Sequence, residues 1–121
     1  MGLIQHNSII VSGHLSCDAE LKKVYNRAKI LFGDLVTPII KSILNNYRFF
    51  FVSPDGSKEY WGESELYDIN RKLLCDYIDS FVYDDGSYMI NYADVSHGEK
   101  GAFIKRTNEI NHHEEESEGT E

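Results

Sequence analysis

At 121 residues, 41% hydrophobic and 12% aromatic, the chain has the size and composition of one domain around one core. The net charge of −8 is uneven: six of the 20 acidic residues, and no Lys or Arg, fall in 107–121, leaving 14 acidic against 12 basic residues elsewhere. That body has no cationic stripe to displace counterions from a phosphate backbone, which excludes long nucleic acid as a partner but not a small anion held by one or two arginines.

The opening Met1-Gly2-Leu3-Ile4-Gln5-His6 lacks the basic region and apolar run of a signal peptide, and His6 stands where an N-myristoylation signal needs Ser or Thr. No stretch reaches the ~20 apolar residues of a membrane span. The expected location is the cytoplasm.

The β-branched run Ser8–Ser12, closed by Gly13, predicts a short strand. Leu21, Val24, Ala28 and Leu31 then recur at spacings of three and four, which predicts a helix over 18–32 with Ser16 or Asp18 as its cap and Gly33 after its end. Residues 35–44 read as a strand that Pro38 confines to an edge or a bulge. Asn45-Asn46 is a turn, and Tyr47–Val52 is the most apolar strand of the chain. After the turn Ser53-Pro54-Asp55-Gly56, a second helix is predicted over 64–81, burying Leu66, Ile69, Leu73, Tyr77 and Phe81. Asp84-Asp85-Gly86-Ser87 turns the chain, 88–95 alternates as a strand, 97–101 is a loop and 102–106 is a last short strand.

This order predicts an α+β domain over 1–106: two helices on one face of a mostly antiparallel sheet, on a split βαβ plan. Residues 107–121 are expected to be an acidic disordered tail.

Chemistry-bearing motifs are sparse. There is no P-loop, G-x-G-x-x-G or H-E-x-x-H. Cys17 and Cys75, 58 positions apart with no C-x-x-C, argue for reduced, packed thiols rather than a secreted disulfide framework. His97-Gly98-Glu99 matches the H-x-E piece of zinc deaminases, but no P-C-x-x-C follows it and a polar turn explains it. His14 three residues before Cys17 reads as a loop beside a helix-start cysteine, and His112-His113-Glu114 as a solvated run. No catalytic residue, cofactor site or metal site is therefore expected. The triplet Phe49-Phe50-Phe51 must point to both faces of its sheet, and only one face meets helices. The other needs cover, so a homo-oligomer is expected.

The residues Gly2-Leu3-Ile4-Gln5-His6-Asn7, the stretch Val52-Ser53-Pro54-Asp55-Gly56-Ser57-Lys58-Glu59 with Trp61, and Asp85-Gly86-Ser87 before a strand together resemble the first family of Thoeris anti-defence proteins. Those are oligomeric phage sponges that sequester cyclic ADP-ribose isomers made by bacterial TIR enzymes, and some also hold cyclic trinucleotides at a separate site. The resemblance spans nearly all of the chain except the acidic tail. It implies a ligand site built from Phe81 and Asn91, ten residues apart, with Arg27 on the first helix and Arg106 on the last strand. Lys58 is the basic residue nearest the P-D-G-S turn.

That residue set is chemically coherent. A purine stacks on an aromatic ring for about 1–3 kcal/mol, an asparagine amide reads a purine edge or a ribose hydroxyl, and an arginine fork holds a pyrophosphate without losing its charge. Each residue also has a plain structural reading: Phe81 as core, Asn91 as an outward strand residue, Arg27 and Arg106 as solvated surface. A different class of function, an acidic protein-binding inhibitor steered by charge, is equally free of catalytic residues.

Overall fold

The computed structural model describes residues 4–57 and 62–109, apart from the side chain of Glu63. Five strands and two helices alternate in the order β1 (Gln5–His14), α1 (Asp18–Phe32), β2 (Ile40–Lys41), β3 (Tyr47–Val52), α2 (Gly62–Asp79), β4 (Ile90–Gly98) and β5 (Gly101–Thr107). They form one antiparallel sheet ordered β2-β3-β1-β4-β5. Read from the other edge, its first four neighbours after β5 run 4-1-3-2, the split βαβ plan, with β5 added as a hairpin on β4.

Local chemistry explains most of the boundaries. Gly33 follows α1 at φ 58°, its N–H donating to the Lys29 carbonyl, a backbone angle that a side chain resists. Asn45 and Asn46 both have positive φ, 66° and 56°, and so turn β2 tightly into β3. Neither Ser16 nor Asp18 caps α1. The residue before the helix is Cys17, with no side-chain cap, and His14 Nδ1 accepts from Ser16 N–H to cap the single 3-10 turn over Leu15–Cys17. The strand read over 35–44 shrinks to two residues at the sheet edge, plus an isolated bridge from Val36 to Val52.

Ile9, Val11, Phe50, Val52, Ile90 and Tyr92 form the sheet side of the core, and Leu21, Val24, Ala28 and Phe32 its α1 side. From α2 the buried residues are Leu74, Cys75 and Ile78, together with Ser64 and Arg71. This corrects the helical face read from the sequence. Leu66, Ile69 and Leu73 are 55%, 58% and 49% exposed, while Tyr77 and Phe81 are half-buried. The helix is turned so that Arg71 replaces a hydrophobe in the inward stripe, its stem packed and its guanidinium bonded to Asp68.

The opposite face of the sheet carries no helix. Phe50 is buried, whereas Phe49 lies on the uncovered face in register with Ile40 and Ser12, and Phe51 in register with Ile10. The two-faced triplet expected from the sequence is present. Residues 107–109, assigned above to the tail, belong to the folded body: β5 runs through Thr107, and Asn108 is bonded to β4 and α2. Residues 110–121, with His112 and His113, lie outside the described residues, as do Gly2, Leu3, Lys58, Glu59 and Trp61.

Candidate ligand-binding site

The four residues implied by the resemblance fall into separate settings around α2. On the side facing α1, the Arg27 guanidinium stands 4.2 Å above the ring centroid of Tyr77. Tyr77 in turn meets Phe81 edge-on, with centroids 5.1 Å apart. Arg27 and Phe81 are therefore joined through Tyr77, in a cation–aromatic–aromatic row. Arg27 is exposed and Phe81 half-buried, so the row is open to solvent at one end and anchored in the core at the other.

On the other side of α2, Arg106 is already engaged. Its Nη2 donates to Asp76 at 2.8 Å and to Asp79 at 2.9 Å. Hydrogen bonds from Lys72 and Arg106 hold the Asp76 carboxyl below the usual range. Asp79 also accepts from the Tyr92 hydroxyl at 3.1 Å and from Asn108 Nδ2 at 3.1 Å. Burial, then the neighbouring Cys75 and Asp79, push the Tyr92 phenol up.

Asn91 pairs in register with Ser12 on the sheet face away from the helices, and its Nδ2 donates to Asn108 Oδ1 at 3.2 Å. Within one chain it does not meet Phe81 or Arg27. Asn108 is the hub that sequence reading missed. Its Oδ1 also accepts from Tyr92 N–H, and its Nδ2 also donates to the Ile90 carbonyl. Lying next to a Glu-rich tail, it carried no signal to separate it from that tail.

Between α2 and β5 lies a recess of about 260 Å3. Asp68, Arg71, Lys72 and Cys75 line it from the helix, Asp94, Lys105 and Arg106 from the sheet. Two of the charged side chains are nearly sealed, Arg71 at 6% and Asp94 at 7% exposure. Two consecutive cations reach it because β5 changes register there: Ile104 pairs with Val95 and Arg106 with Asp94, so Lys105 is an extra residue. Burial raises the Asp94 carboxyl above its ordinary range, against the pull of Arg71 and Lys105. Burial, with Asp94 next in size, pushes the Cys75 thiol up to about 12.

No family model, curated protein or solved structure matches the chain.

The remaining sequence candidates resolve into structural roles. Cys17 Sγ shares a hydrogen bond with the Tyr83 hydroxyl at 2.9 Å rather than with His14. Glu99 Oε2 accepts from the Ile4 N–H at 2.6 Å, and its neighbour His97 stacks at a tilt on His6 across the strands. Both cysteines are free and buried. Among the described residues, no three His, Cys, Asp or Glu side chains gather where they could hold a metal ion, and no helix is long and apolar enough to cross a membrane.

Proposed function

We propose that the protein binds a cyclic nucleotide signal, a cyclic ADP-ribose isomer, without turning it over, and so keeps it from its receptor. The observation that carries the reading is the Arg27–Tyr77–Phe81 row, which sets a permanent cation beside aromatic faces at the surface. A purine stacks on such a face, and a pyrophosphate meets the guanidinium. Arg106 has a different part in this reading: held by Asp76 and Asp79, it braces the end of α2 from which Phe81 projects. Asn91 lies on the uncovered sheet face, so a pocket containing both it and Phe81 calls for a second copy of the chain. That fits the homo-oligomer expected from Phe49 and Phe51. The recess under Arg106, at about 260 Å3, is below the usual span of pockets for drug-sized ligands and is too small for a whole cyclic ADP-ribose isomer.

The test is retention. The protein is incubated with the products of an active TIR enzyme, free nucleotide is filtered away, and the heat-released ligand is identified by mass spectrometry. An intact cyclic ADP-ribose isomer, lost on Phe81→Ala or Arg27→Ala, is the expected result. Release of a linear product would mean an enzyme, and retention of nothing would remove the nucleotide reading.

One observation favours a second reading, an inhibitor that docks on another protein. Leu66, Ile69 and Leu73 form an exposed apolar stripe along α2, the kind of face an amphipathic helix lays into a groove. Removing residues 110–121 separates the two readings. A charge-steered inhibitor would bind its partner more weakly and with less dependence on salt, whereas nucleotide retention would be unchanged.

A further inference from the structure

We infer that the recess between α2 and β5 is a second ligand site, for a small phosphate ester that also carries hydroxyl groups. Asp94 Oδ1 is buried and has no hydrogen-bond partner among the described residues. An acceptor sealed from water in this way costs free energy unless something donates to it. The recess that Asp94 lines is large enough to supply that donor, since 260 Å3 exceeds several times the roughly 30 Å3 share of one water.

The lining selects the chemistry of the guest. Arg71, Lys72, Lys105 and Arg106 outnumber Asp68 and Asp94 on its walls. Asp76 and Asp79 behind the walls answer part of that surplus, so it is at Lys105 that an oxyanion is attracted and a cationic guest repelled. An ammonium group is thus a poor donor for Asp94, and a neutral hydroxyl is a good one. Asp76 and Asp79 occupy Arg106, and Asp76 occupies Lys72. Asp68 likewise engages Arg71, which leaves the exposed Lys105 as the anion's principal contact. One molecule that satisfies both ends has a phosphate toward Lys105 and a hydroxyl toward Asp94. The volume matches a pentose phosphate. The register change in β5 is part of the construction, because it places Lys105 and Arg106 on the same recess.

The shared chemistry is a ribose phosphate, free or as part of a nucleotide. The experiment is a titration of the full chain, by calorimetry or by ligand-observed NMR, with ribose 5-phosphate, AMP, ribose and inorganic phosphate. Ribose 5-phosphate or AMP is expected to bind at least about tenfold more tightly than ribose or phosphate alone, as hydrogen bonds to charged groups allow. The tighter of the two identifies the source as a free sugar phosphate or a nucleotide. Asp94→Leu and Lys105→Ala should each weaken binding by about tenfold or more. Lys105→Ala changes an exposed side chain and keeps the test valid if the Asp94 variant does not fold. Equal binding of inorganic phosphate, indifference to Lys105→Ala, or no binding by either ester overturns the site. Phe81→Ala is expected to leave this binding unchanged, so the site stands or falls separately from sequestration at the Arg27–Tyr77–Phe81 row.

Discussion

Replacing Asn108 with Ala removes four hydrogen bonds at once, since its amide uses both donor and acceptor sides: Asn91 Nδ2 and Tyr92 N–H on Oδ1, Asp79 and the Ile90 carbonyl on Nδ2. A net gain of about 1 kcal/mol per bond, reduced because the site is only part-buried and water can replace some of them, gives a loss of about 2–4 kcal/mol. With a urea m-value of about 1–2 kcal/mol/M, the unfolding midpoint should fall by about 1–4 M. Equilibrium urea unfolding followed by far-UV circular dichroism reads this directly. A midpoint within about 0.3 M of wild type, with m unchanged, would refute the role of Asn108 as a clasp between β4, β5 and α2. Asn108→Asp supplies a second check, because it keeps the two acceptances but faces Asp79 with another carboxylate. That repulsion raises the new carboxyl's pKa in the folded state. The variant's stability is then greatest below the ordinary Asp value of about 3.9 and declines as pH rises through the raised value.

The rotation of α2 makes a reversed pair of mutations informative. Leu73→Lys on the exposed stripe should change stability by no more than about 0.5 kcal/mol, while Leu74→Ala next to it should cost about 2–5 kcal/mol. The inverse ranking in thermal melts would restore the face read from the sequence. Asp94, raised by burial in the folded state, binds its proton more tightly there than in the unfolded chain, so its ionisation is a cost that appears as pH rises above about 4. Asp94→Asn should therefore gain on wild type between acid and neutral pH, as measured by stability at a series of pH values, and a constant difference would count against the assignment. Cys75, at about 12, should resist iodoacetamide at pH 8 in the native protein and react once the chain is unfolded, which peptide mass spectrometry can follow. Rapid native labelling would mean that its burial is not maintained.

The sequence was most legible where one signal stood unopposed. The spacing of Leu21, Val24 and Ala28, with Gly33 at the end, fixed α1 to the residue, and the run Tyr47–Val52 fixed β3. In α2 two stripes competed. Leu66, Ile69 and Leu73 form the unbroken one, whereas the stripe that is buried contains Arg71, and a cation in mid-stripe reads as surface. Its ion pair with Asp68 and the packing of its stem, neither visible in one dimension, decide the matter. The candidate site was legible as residue types and not as an arrangement. Phe81 and Arg27 meet only through Tyr77, which periodicity presented as core. Arg106 is satisfied by Asp76 and Asp79 one helical turn apart, a spacing that from sequence alone is an ordinary solvated face.

The extra residue in β5 has a genetic consequence. Lys105 is the residue without a partner of its own across the ladder, so deleting its single codon would let Ile104 and Arg106 pair regularly with Val95 and Asp94. The sheet would keep its phase on both sides of the cut, and Arg106 would still face the helix side. A recess that owes its second cation to such a bulge can be gained or lost in one in-frame insertion or deletion. The remainder of the fold would not change register.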